Sequence, residues 1–175
     1  AVEPHPLSDT ARVVVVDRPV MPRLPVKTWD TGAPVDLKAG DRPLIVLLWA
    51  SWCAPCLAEL KELESKRALL GDLDIAAVCV DSIATSPDAS IEKAKAMLKK
   101  TGFTATVYAG TEELLTRLDT VQQGVLNRWI PLPVPCAFLL TPQHQLAFLY
   151  KGSTGVGQLR ADLDLLSAKP DALRR

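Results

Sequence analysis

The stretch Trp49-Ala50-Ser51-Trp52-Cys53-Ala54-Pro55-Cys56 constrains this chain more than any other. Before it, residues 43–48 form a short apolar run bounded by a charged turn, the signature of a buried strand. After it, Leu57, Leu60, Leu63 and Leu70 recur at helical spacing among Glu59, Lys61, Glu62, Glu64, Lys66 and Arg67, the signature of an amphipathic helix. Two cysteines separated by two residues therefore stand where a strand hands over to a helix. Cys53 falls at the helix start, where unpaired amide N–H groups and the positive end of the dipole favour an anion. A thiolate there is stabilised and its pKa falls. Cys56 lies within the first turn, near enough to close a small disulfide ring, and Pro55 suits a first-turn position because no intrahelical hydrogen bond is lost there. An attacking thiol with a resolving thiol beside it is what thiol–disulfide exchange requires.

The rest of the sequence bounds this reading. At 175 residues the chain fits one domain with extensions, and 48% hydrophobic residues exclude a disordered chain. Twenty basic and twenty acidic residues cancel, so nothing suggests a nucleic-acid partner or an anionic membrane surface. The longest apolar runs, residues 13–16 and 44–50, are too short to span a bilayer, and no basic-then-apolar leader starts the chain. Four cysteines do not make a disulfide-dense scaffold; Cys79 and Cys136 stand singly in apolar surroundings and read as buried thiols.

In chain order, residues 1–10 read as a loose proline-rich extension, and residues 13–16 as a strand that adds to a sheet edge. Residues 24–29 and 35–37 around Thr31-Gly32 form a hairpin. Residues 75–80 are a second buried strand, and with the preceding strand and helix they make a βαβ unit of parallel strands. Ser86-Pro87 starts a second helix with Ile91, Ala94, Met97 and Leu98 inward and Gly102 at its end. Residues 103–108 are a strand, Thr111 opens a third helix, and a fourth helical piece runs over residues 121–129. Pro131, Pro133 and Pro135 exclude helix and central strand alike. Residues 136–140 and 146–150 form a hairpin, residues 152–157 a flexible loop, residues 159–167 a closing helix, and residues 169–175 a frayed tail. The sum is an α/β fold: a mixed sheet covered by helices on both faces.

This order, with Trp52-Cys53-Ala54-Pro55-Cys56 at the first helix and a proline just before the third core strand, resembles the thioredoxin fold. More narrowly it resembles the TlpA/ResA-like thiol–disulfide oxidoreductases, over residues 22–168, with residues 1–21 as an N-terminal extension. Bare Cys-x-x-Cys also serves zinc, but no second pair or paired histidines supply further ligands, so no metal and no cofactor is expected. The resemblance implies that Cys53 attacks and Cys56 resolves. It implies that Trp52, Ala54, Pro55, Val134 and Pro135 meet the substrate, with Pro135 in the cis form and the backbone of Val134 pairing with an extended substrate segment. A proline beside the dithiol offers no metal ligand and no N–H, which keeps that space open. Glu59 has two readings: an ordinary exposed helix carboxylate, or, as the resemblance implies, a partly buried one whose raised pKa handles the proton during exchange.

Two departures from the pattern matter. Thioredoxin proper carries a buried aspartate where this chain has Leu47, which places more weight on Glu59. Cys136 follows the expected cis-proline where threonine is common; it reads as a small buried hydrophobe or as a third redox-active thiol. Cys79 falls on the other side of the central strand from Cys136, too far for a bridge. His5 and His144 have no partner at ligand spacing. The resemblance implies a reductase of protein disulfides in the periplasm or another extracytoplasmic compartment, recharged by a membrane thiol–disulfide donor. A copper-delivery protein of the same fold is disfavoured by the scarcity of histidine and methionine. A peroxidase is disfavoured by the tryptophan before Cys53. A non-catalytic module holding a partner at Val134 and Pro135 is the remaining alternative.

Overall fold

The computed structural model describes residues 11–127 and 131–167; the expected loose start, residues 1–10, and the C-terminal tail lie outside the described residues. The elements run β1 (Ala11–Val14), β2 (Leu24–Thr28), β3 (Pro34–Leu37), β4 (Leu44–Trp49), α1 (Ala54–Ser65), β5 (Asp74–Cys79), α2 (Ile91–Thr101), β6 (Thr106–Ala109), α3 (Glu112–Leu126), β7 (Cys136–Leu140), β8 (Leu146–Lys151) and α4 (Val156–Ser167), with a 3-10 turn at Arg67–Leu70. All six residues of β4 are buried. Side chains of a strand alternate between faces, so a strand buried throughout is covered on both. The strands make one sheet in the order β1-β8-β7-β4-β5-β6-β2-β3. β4 pairs parallel with β5, as the βαβ unit requires, and antiparallel with β7, which pairs with β8 in the closing hairpin.

The N-terminal segment binds both ends of the sheet. β1 lies against β8 at one edge, and the β2–β3 hairpin joins β6 at the other. Between them the chain passes the β7–β8 turn: Met21 N–H donates to His144 C=O at 2.8 Å and Leu146 N–H to Pro19 C=O at 2.9 Å. His144 sits in the left-handed region at φ +61°. Its Nδ1 accepts from Ala39 N–H at 3.3 Å, so this histidine ties a turn to a neighbouring loop.

Several boundaries differ from the sequence reading. The second helix begins at Ile91, not near Pro87, because Ser90 supplies the cap: its Oγ accepts from Lys93 N–H. Pro87 lies in the turn that Ala89 N–H closes onto Ser86 C=O. The expected fourth helical piece is the continuation of α3, which Asn127 ends in the left-handed conformation at φ 48°; residues 128–130 lie outside the described residues. The strand expected over residues 103–108 is Thr106–Ala109. The closing helix starts at Val156, three residues early.

Candidate active site

Strand β4 delivers the motif at its carboxyl end. Cys53 N–H donates to Ala50 C=O at 3.2 Å, closing a turn with Ser51 and Trp52 at its centre. The turn sets Cys53 as the N-cap of α1, in extended backbone at φ −94° and ψ 95°, with Pro55 in the first helical turn. Serine or aspartate normally caps with oxygen; here Cys53 Sγ accepts from Cys56 N–H at 3.2 Å. Cys53 and Cys56 form a disulfide with Cα atoms 5.2 Å apart. Cys56 is 0% exposed and Cys53 8%. Only Cys53 presents an edge to solvent, and only it has the capping N–H that would hold a thiolate. Trp52, 37% exposed, lies beside it, with Ala54 and Pro55 exposed on the first turn.

The Val134–Pro135 peptide bond is cis. The pairing of Leu48 with Cys136 puts Pro135 level with the point where the motif leaves β4. Pro135 is buried and its C=O accepts from Gly152 N–H at 2.9 Å, while Val134 is half-buried.

Glu59 is not an exposed helix carboxylate: it is 3% exposed, one helical turn beyond Cys56. Its Oε1 accepts from Thr154 N–H at 2.8 Å. Among the described residues its Oε2 is buried with no hydrogen-bond partner. Burial raises its pKa to about 7, against the lowering effect of the Thr154 N–H, and the charge of Glu62 adds to the rise. The loop over residues 152–157, read as flexible, is thus pinned to α1: Thr154 binds Glu59, and Val156 N–H lies 3.4 Å from Glu62 Oε1.

Cys79 and Cys136 are free and buried. Burial before all else raises both thiol pKa values, with the charge of Glu59 adding to the rise at Cys136. Such thiols stay protonated and unreactive at neutral pH, which favours the reading of Cys136 as a small hydrophobe. They flank β4 on β5 and β7, as expected. The sequence reading missed Thr154 and Asp81. Asp81, two residues past β5, accepts hydrogen bonds from Ser51; an acid just beyond a buried strand, facing a serine just beyond its neighbour, was the available signal.

No protein-family model and no curated protein matches the chain. Solved structures do. A DsbF homologue from Corynebacterium diphtheriae superposes with TM-score 0.68 at 20% identity, over 92% of this chain and 96% of that one. A thiol:disulfide interchange protein of the thioredoxin family from Chlorobium tepidum gives 0.64 at 18%, over 85% and 96%. The chain has the thioredoxin fold. A secreted thiol-disulfide isomerase from Corynebacterium glutamicum shares this thioredoxin architecture with TM-score 0.64 at 16% identity, over 96% of this chain and 99% of that one. On the thioredoxin frame the disulfide, cis-Pro135 and Glu59 gather at the carboxyl end of β4. Among the described residues no three His, Cys, Asp or Glu side chains gather as a metal site, and no helix is long and apolar enough to cross a membrane.

Proposed function

We propose that this thioredoxin-fold protein is a thiol–disulfide oxidoreductase that reduces protein disulfides. The observation that carries the reading is the Cys53–Cys56 disulfide with Cys53 Sγ as the helix cap. In the reduced protein the Cys53 thiolate attacks one sulfur of a substrate disulfide; the other leaves as a thiolate and takes a proton. Cys56 then loses its proton and attacks Cys53 Sγ. The second substrate thiol is released, and two electrons have passed from the dithiol to the substrate. Glu59 is the acceptor for the Cys56 proton: it is one turn away, has an oxygen without a hydrogen-bond partner among the described residues, and its pKa is raised by burial to about 7. Trp52, Ala54 and Pro55 form the apolar rim, and Val134, fixed by cis-Pro135, offers its backbone to an extended substrate segment.

The test is the reduction potential of the pair in glutathione buffers, read by thiol labelling with the two buried cysteines as internal controls. A value near about −270 mV supports a reductase, and one near about −120 mV a disulfide donor. A pair that never forms a reversible disulfide ends the enzyme reading. The site acts outside the cytoplasm and is recharged by a membrane thiol–disulfide donor; the secreted structural relative from Corynebacterium glutamicum supports this compartment. After brief treatment with a membrane-impermeant reductant to open the Cys53–Cys56 disulfide, a membrane-impermeant alkylating agent is expected to label Cys53 in intact cells; labelling that appears only after lysis places the protein inside.

Glu59 gives a pH prediction. Its folded-state pKa of about 7 lies above the ordinary 4.5. The folded protein therefore holds this proton more tightly than the unfolded chain, and that stabilisation is present in full below pH 4.5. It is lost as pH rises through 4.5 to about 7, up to about 3 kcal/mol at 1.36 kcal/mol per unit. Glu59→Gln keeps an acceptor for Thr154 N–H and removes the titration. The variant's stability relative to wild type is expected to rise between pH 4.5 and 7 and stay flat above, in urea unfolding at stepped pH. Its resolution step is expected to slow. A flat difference across that window means that Glu59 is not a buried acid in solution.

A further inference from the structure

We infer that the charge of Asp81, clamped to the active-site turn, sets the reduction potential of the Cys53–Cys56 pair. The inference rests on the oxidoreductase reading above. Strands β4 and β5 pair in register, Trp49 beside Cys79, and Val80 N–H donates to Trp49 C=O at 2.9 Å. Two residues past that level on each strand stand Ser51 and Asp81. Asp81 Oδ1 accepts from Ser51 N–H at 2.8 Å, and its Oδ2 from Ser51 Oγ–H at 2.6 Å. The same carboxylate accepts from Cys79 Sγ–H at 3.2 Å and from Ser90 N–H, at the cap of α2, at 3.1 Å. Two backbone N–H groups, a hydroxyl and a thiol surround it, and all four can donate to a carboxylate.

Asp81 is 5% exposed, and among the described residues it has no ion-pair partner. Its charge is thus held in the interior, where screening is weak. Ser51 is the first central residue of the turn that Cys53 closes, so the clamp fixes both the turn and the place of the charge beside it. A negative charge there opposes the Cys53 thiolate. It raises the free energy of the reduced form relative to the disulfide and so makes the pair more reducing. Asp81 touches no reacting atom; it is a positioning residue.

Two variants of the full chain, equilibrated with glutathione, test this, with thermal unfolding recorded in parallel. In Asp81→Asn the charge is gone. The equilibrium is expected to move at least tenfold toward the dithiol, about 30 mV less negative. Ser51→Ala withdraws one donor that quenches the charge and leaves the charge itself, so its shift runs the other way, about threefold toward the disulfide. A lower melting temperature with a potential within twofold of wild type in both variants means a merely structural carboxylate and overturns the inference. If Asp81→Asn does not fold, Ser51→Ala decides by the sign of its shift, and an unchanged potential overturns the inference. A wild-type pair with no reversible disulfide instead removes the oxidoreductase reading, and the tuning with it.

Discussion

Cys53→Ser is expected to abolish disulfide reduction, leaving only the uncatalysed rate. The argument is positional. Cys56 has no exposed surface, so it cannot meet a protein disulfide, and Cys79 and Cys136 are buried thiols that burial keeps protonated. No other sulfur of the described chain can take over the attack. Cys56→Ser has a different expected result. Attack by Cys53 survives, resolution does not, and the mixed disulfide accumulates as a covalent adduct on Cys53. Non-reducing gels with a disulfide-bonded model substrate separate the two variants. An adduct in Cys53→Ser, or none in Cys56→Ser, reverses the assignment of attacker and resolver.

The largest expected loss of stability lies away from the dithiol, at Arg12→Ala. Asp162 on α4 is fully buried, and three side chains satisfy it: Arg12 through a two-pronged ion pair, Tyr150 Oη–H at 2.6 Å and Gln158 Nε2–H at 3.1 Å. Removing the arginine leaves a carboxylate in the interior without its cation. Such losses reach 3–5 kcal/mol for fully buried pairs; because Arg12 is about one-third exposed, we expect about 3 kcal/mol. In a domain of this size that is a fall of about 6–12 °C in Tm. Asp162→Asn in the Arg12→Ala background removes the stranded charge while keeping an acceptor for the buried Tyr150 Oη–H, and is expected to recover part of the loss. A single-variant cost below about 1 kcal/mol would class the contact with exposed ion pairs.

The central strand, the helix start at the dithiol and the cis proline were all legible, because each is written in a local pattern. A six-residue apolar run, a Cys-Ala-Pro-Cys step into a leucine-spaced helix and a proline directly before a strand need no distant partner to be read. The burial of Glu59 was only half legible. Its spacing from Cys56 gave the helical turn, but Thr154, the partner that holds it in the interior, lies 95 residues away. Asp162 was not legible for the same reason: its cation and its tyrosine come from other elements. Asp81 left only the weak signal of an acid and a serine just beyond neighbouring strands. The start of α2 was misplaced because Ser86-Pro87 and Ser90 both carry cap chemistry. The contact of Ser90 N–H with Asp81, invisible in the local pattern, accompanies the choice of the second.

Arg12 and Asp162 are separated by 150 residues. A growing chain meets that separation as an order of events. The β4–α1–β5 unit can pair as soon as it has been synthesised, whereas β1 must wait unpaired until β8 and α4 exist. The edge is therefore completed last, and until then the acid of α4 has water, not a guanidinium, for a partner. The first residues of the described chain fasten the fold after its last ones have arrived.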